Sequence, residues 1–133
     1  MTDRDKAKLL GIHPSLIERV GRILDAMAAL GHPMCVTDGV RTTAQQAALY
    51  AKGRTAPGAI VTYADGVTKT SNHQPKADGY GYAVDCAFLV NGKPSWDVSL
   101  PWAAYGALAQ AVGLTWGGAW AKKLHDYPHI ELT

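Results

Sequence analysis

"YGYAVDCAFLVNGKPSW", residues 80–96, decides how the rest of the chain is read. The stretch alternates and runs apolar from Tyr82 to Val90, then meets Asn91-Gly92, a dipeptide that favours the tight turn of a hairpin, so residues 82–90 are predicted to be a strand entering one. One residue resists that reading. Asp85 sits between Val84 and Cys86, and a carboxylate there is costly to bury unless something positive holds it. It either lies on a solvated strand face, pairs with a cation such as Arg41, or serves another purpose.

Working outward, "HPSLIERVGRILDAMAALG" upstream places Leu16, Ile17, Val20, Ile23, Leu24, Met27 and Leu30 at helical spacing, with Pro14 in the first turn and Gly31 at the stop. "PMCVTDGVRT" reads as a short strand running into a Gly turn, and "TTAQQAALYAKG" as a second helix with a Thr cap and a Gly end. From Arg54 to Asn72, Gly, Pro, Thr and Ser dominate; this is a long irregular loop with one short strand expected around Ile60 to Tyr63. Downstream, "SLPWAAYGALAQAVGL" is a third helix with Ser99 as cap and Pro101 in its first turn, and "LTWGG" and "PHIEL" are two further short strands. The order of these elements indicates an α+β fold, a small antiparallel sheet of about four strands packed with about three helices.

The chain has 133 residues, enough for one domain with a hydrophobic core, and residues 1–133 are read as a single domain. With 47% apolar and 18% charged residues it has the balance of a folded globular protein. A net charge of +2 favours an anionic partner mildly and falls far short of the basic patches of a nucleic-acid binder. Cys35 and Cys86 are too few for a disulfide framework and are expected to be reduced and buried. The charged start "MTDRDKAKLL" carries no secretory signal and no apolar run is long enough to span a bilayer, so synthesis and retention in the cytoplasm are expected.

The five histidines sort by context. His13 and His32 flank the first long helix beside Pro14 and Pro33 and read as capping or surface groups. His73 lies in the loop as "SNH". His125 and His129 lie in "KLHDYPHIEL", residues 123–132, where strand alternation sends His129 and Glu131 to one face and Ile130 and Leu132 to the other, with Asp126 just before the strand. A hydrolytic zinc site needs about three protein ligands drawn from His nitrogen and carboxylate oxygen, an open position for water, and a separate carboxylate to move its proton. The candidates must come as a set.

"SNHQPKADGYGYAVD" followed by "WGGAWAKKLHDYPHIEL" resembles the zinc peptidase family of the D-alanyl-D-alanine carboxypeptidases and dipeptidases and the phage L-alanyl-D-glutamate endopeptidases. Its signature is SxHxxGxAxD, a tryptophan-glycine segment, then DxxHxE. The resemblance implies one zinc ion held by His73, Asp85 and His129 on the sheet face, Asp126 as general acid/base, and Arg41 touching the substrate or the developing oxyanion. Ser71, Gly81 and Ala83 fall on the signature's small and polar positions. Eleven residues separate His73 from Asp85, about five more than the family spacing, an insertion that a loop absorbs for well under ~1 kcal/mol of closure entropy. Asp78, in that insertion, is a rival ligand, less favoured because Asp85 keeps GxAxD intact. Glu131 is either a solvent-facing strand acid or the partner that orients a ligand histidine. His125 is read as a surface or second-shell group, Gln45 and Tyr50 as either cleft-lining or helix packing, Trp102 as core, and Trp116 and Trp120 as walls of a substrate groove.

What the resemblance implies is hydrolysis of an amide bond in the peptidoglycan stem peptide. DYPHIE is closest to the L-alanyl-D-glutamate endopeptidase form, used by a phage or prophage endolysin that acts as a monomer and reaches the wall once a separate protein permeabilises the membrane. One alternative is a D-alanyl-D-alanine carboxypeptidase; another is a non-catalytic wall-binding module with a structural zinc site.

Overall fold

The computed structural model describes residues 1–122 and 124–133. Four α-helices and five strands follow in the order α1 (Asp3–Lys8), α2 (Pro14–Ala29), β1 (Met34–Asp38), α3 (Thr43–Ala51), β2 (Ala83–Val90), β3 (Lys93–Ser95), α4 (Trp102–Ala111), β4 (Thr115–Trp116) and β5 (His129–Glu131). The strands form one antiparallel sheet in the order β1-β2-β5-β4, with β3 paired to the far end of β2 across the Asn91-Gly92 hairpin. This is the α+β fold expected, with one helix and one strand more.

β2 is the axis of the molecule because alternation gives it two unlike faces. Val84, Cys86 and Phe88 point into the core with Met34 and Val36 of β1 and Ile130 of β5. Against them α2 lays the stripe Leu16, Val20, Ile23, Leu24 and Met27, and α4 contributes Trp102, Tyr105 and Ala109. Trp102 meets the Phe88 ring edge-on at 4.8 Å, as expected of a core residue. A Cβ on Gly106 of α4 would lie 2.2 Å from the Trp116 ring, so only glycine lets that indole settle on the helix. Cys35 and Cys86 are free and buried.

The helix starts show which polar residues the fold consumes. At α2, His13 caps through Nδ1, which accepts from the Ser15 N–H at 3.1 Å. At α3, Thr42 and Gln45 form a reciprocal capping box, at 3.1 and 2.8 Å, so Gln45 serves as a cap. Helix α1 was hidden by its charge: Asp5 closes a capping box with Thr2 and also accepts the Val36 N–H at 2.9 Å, pinning a short polar helix to β1.

Two local expectations fail. Ile60 to Tyr63 form no strand; the Gln46 amide holds this segment instead, donating to Thr62 Oγ1 and the Ala64 carbonyl. Ser99 does not cap α4, since it is turned toward Asp97, and Pro101 occupies the cap position with no side-chain bond. Among the described residues no helix is long and apolar enough to cross a membrane.

Candidate metal centre

Strand register assembles the site. Asp85 of β2 lies opposite His129 of β5 on one side and Asp38 of β1 on the other, so all three reach the sheet face turned away from the core. His73 descends on them from the loop before β2. A turn shapes its approach: Ser71 Oγ accepts the His73 N–H at 3.2 Å, the Ser71 N–H reaches Gln74 Oε1 at 2.8 Å, and the Arg41 N–H donates to the His73 carbonyl at 2.9 Å.

His73, Asp85 and His129 form a group whose donor atoms all lie within 4.8 Å of one another. His73 Nε2 and His129 Nδ1 each stand 3.3 Å from Asp85 Oδ1, about the spacing of two ligands that share a tetrahedral ion at ~2.0–2.1 Å. The far nitrogens are both occupied. His73 Nδ1 is 2.8 Å from the Gly39 carbonyl, which can only accept, so Nδ1 carries the proton and Nε2 is left with a bare lone pair. His129 Nε2 is 2.6 Å from Glu131 Oε1 and donates to it, leaving Nδ1 for Asp85. His73 Nε2 and Asp85 Oδ1 are buried and hydrogen-bonded to nothing. Two buried acceptors face to face are unfavourable without a cation or proton between them. The residues therefore fit a divalent ion held by two imidazoles and one carboxylate.

Charge at the site follows from this crowding. Burial opposes the Asp85 carboxylate, yet the imidazoles of His129 and His73 beside it outweigh that and hold its pKa well below the usual range. Burial likewise opposes the His129 imidazolium, and the carboxylates of Asp85 and Glu131 beside it more than offset that, raising His129 to about 9. A metal ion binding here would compete with that proton. Glu131 is drawn down, its burial outweighed by the bond to His129.

Asp126 opens onto the same cleft, a depression of about 800 Å³ that Arg41, Ser71, Trp120 and Tyr63 also line. Its carboxyl is pushed up, first by burial against the cleft wall and then by the negative charge of Asp85. Gly117 seats this segment: its carbonyl accepts the Asp126 N–H at 2.9 Å, and a Cβ there would come within 2.5 Å of the Asp126 carbonyl oxygen and 3.0 Å of His129 Cβ. Arg41 is held on several sides, by Asp38 at 2.7 and 2.8 Å, Gln46 Oε1 at 3.0 Å and Asp85 Oδ2 at 3.5 Å.

Of the sequence candidates, His73, Asp85, His129, Asp126, Arg41, Ser71, Glu131 and Trp120 meet at this cleft, Trp120 with its ring 5.0 Å from that of His129. Trp116 is elsewhere and does not wall the groove: it stacks on Tyr127 at 6.1 Å and donates to the Tyr127 carbonyl, filling space against Gly106. Asp78 stands apart too, accepting from Tyr82 and Tyr80 in the inserted turn. His125, exposed and stacked on Tyr127, lines the rim of the same cleft. Sequence reading missed Asp38, Gln46 and Asn72. Gln46 was recoverable, because a capping box that consumes Gln45 leaves its neighbour free to turn inward.

Residues 65–132 match the model of the D-alanyl-D-alanine carboxypeptidase family, and the chain belongs to that peptidase family. Among its relatives, the peptidoglycan L-alanyl-D-glutamate endopeptidase CwlK of Bacillus subtilis is 33% identical over 130 residues, covering 91% of this chain and 73% of that protein. The crystal structure of the Serratia marcescens L-Ala D-Glu endopeptidase ChiX superposes with a TM-score of 0.69 at 28% identity, covering 100% of this chain and 89% of that one.

Proposed function

We propose that this chain is a zinc-dependent peptidoglycan peptidase that hydrolyses the bond between L-alanine and D-glutamate in the stem peptide. The observation that carries the reading is the pair of unsatisfied buried acceptors, His73 Nε2 and Asp85 Oδ1, facing each other beside His129. The likeness to CwlK and ChiX supports the bond assigned. His73, Asp85 and His129 would hold the zinc, which when bound lowers the pKa of a coordinated water and polarises a carbonyl.

The other roles fall to side chains in the cleft. Asp126, its carboxyl pushed up by burial and by the charge of Asp85, would receive the proton of the attacking water and return it to the leaving amine. Arg41, fixed by Asp38 and Gln46, offers a positioned cation to negative charge that develops on the scissile carbonyl. Glu131 and the Gly39 carbonyl orient the two imidazoles. Trp120 walls the cleft beside His129.

Digestion of purified peptidoglycan followed by mass spectrometry tests the bond. A new D-glutamate amine is the expected product. A new D-alanine amine would instead assign the D-alanyl-D-alanine carboxypeptidase reaction, the second reading, which the family description favours. We extend the proposal to a lytic role as a monomeric endolysin. Added protein should then clear a suspension of membrane-permeabilised cells and leave intact cells turbid; equal clearing of both would contradict the need for a permeabilising partner.

A further inference from the structure

The extra residues between His73 and Asp85 are not a slack loop. Lys76 and Tyr80 close a tight turn, the Lys76 N–H donating to the Tyr80 carbonyl at 2.9 Å and the Gly79 N–H to the Lys76 carbonyl at 2.8 Å. Asp78 fastens it from inside, accepting the Tyr80 N–H at 3.0 Å and the Tyr82 hydroxyl at 2.5 Å. The turn then returns to its own start, where the Tyr82 N–H meets the Asn72 carbonyl at 2.8 Å.

From this turn a chain of hydrogen bonds runs into the metal centre. Lys76 Nζ, 5.1 Å above the Tyr82 ring, donates to Asn72 Oδ1 at 2.9 Å. Asn72 Nδ2 donates to Glu131 Oε2 at 2.5 Å, and Glu131 Oε1 takes the His129 Nε2–H at 2.6 Å. The direction of every bond is fixed, because an ammonium only donates and a carboxylate only accepts. An amide, with both an acceptor and a donor, satisfies both at once. Aspartate at 72 would set two acceptors against each other, and an apolar residue would leave Glu131 Oε2 open.

We propose that the inserted turn is a clamp on the metal centre, in which Lys76 fixes Asn72, Asn72 fixes Glu131, and Glu131 fixes the ring of His129. Asn72 and Lys76 are positioning residues, acting on the ion through Glu131 and His129. The inference rests on the zinc reading above. It follows that zinc affinity depends on two residues that never touch the ion, one of them an exposed lysine.

The test is competition for zinc between the chelator-stripped full chain and a chromogenic chelator, with the melting temperature of each metal-free variant recorded alongside. Asn72→Leu should bind zinc about 10- to 100-fold more weakly, and Lys76→Met about 2- to 5-fold more weakly. Since Lys76 acts through Asn72, the double variant should match Asn72→Leu within about 2-fold. Lys76→Arg, which keeps the donor, should restore affinity. Wild-type affinity in Asn72→Leu, or losses that multiply in the double variant, would overturn the clamp. Should Asn72→Leu not fold, the exposed Lys76→Met decides, and unchanged affinity there overturns it equally. A wild-type chain that binds no zinc would overturn both the clamp and the metal reading, whereas equal binding by wild type and variants would remove the clamp alone.

Discussion

The two faces of β2 are built from adjacent residues and obey opposite rules. On one, Val84, Cys86 and Phe88 join Ile130 and the stripe of α2 in the hydrophobic core. On the other, Asp85 faces two imidazoles across 3.3 Å gaps with its Oδ1 unsatisfied. The first face is complete as folded, each large side chain contributing about 1.5–3 kcal/mol by leaving water. The second leaves two buried acceptors facing each other. Stability and chemistry are thereby separated by the thickness of one strand, and alternation at a period of two residues is what separates them.

That contrast is open to direct attack. The largest expected effect is at the cleft face: Asp85→Ala should abolish stoichiometric zinc binding and all peptidoglycan hydrolysis while the chain stays folded, as read by metal analysis and circular dichroism. Retained zinc in that variant would dissolve the distinction between the faces. Next comes Asp126→Ala, expected to lower hydrolysis by about 10²- to 10⁴-fold with zinc content and melting temperature unchanged. A rate within a few-fold of wild type removes Asp126 from proton transfer.

The core face should answer in the other currency. Ile130→Ala, one residue from His129, should cost about 2–5 kcal/mol of unfolding free energy in urea. Zinc stoichiometry should persist wherever the variant remains folded. A cost below about 1 kcal/mol would mean that the core does not depend on β5 as described.

The smallest expected effect is on pH. In the metal-free protein His129 is raised to about 9 from an ordinary 6.5, so its contribution is fully present below about 6.5 and is lost as pH rises through about 9. Asp85 and Glu131, both lowered, contribute above the ordinary carboxylate range and lose that as pH falls. The melting temperature of the metal-free chain should therefore fall between pH 7 and 10, and the rise produced by zinc should grow over the same interval as the competing proton leaves. A flat profile in both states would show that no proton occupies the ligand set.

How much of this was legible in the sequence differs between the same two faces. The core face was legible because it is periodic: α2, β2 and the final strand announce themselves by spacing alone. The family signature carried His73, Asp85 and His129, which no spacing rule would have joined across 56 residues from 73 to 129. What escaped were groups defined by orientation. Gln46 and Gln45 are neighbours of the same type, and only the capping box decides which one turns toward Arg41. Trp116 and Trp120 flank the same glycine pair, yet the notch at Gly106 claims one for the core and leaves the other at the cleft. Glu131 could be read two ways until the register of β5 set it against His129. Helix α1, short and charged, has no periodic signal at all; a single buried Asp5 holds it.

The central claim is that one zinc ion is held by atoms of His73, Asp85 and His129 and by no other protein group. An anomalous-difference map, collected at the zinc absorption edge from crystals of the zinc-loaded chain, tests it most directly. The expected result is a single peak per chain bonded to His73 Nε2, Asp85 Oδ1 and His129 Nδ1, with solvent in the remaining position. A peak elsewhere, or one closed off by a fourth protein ligand, would contradict it.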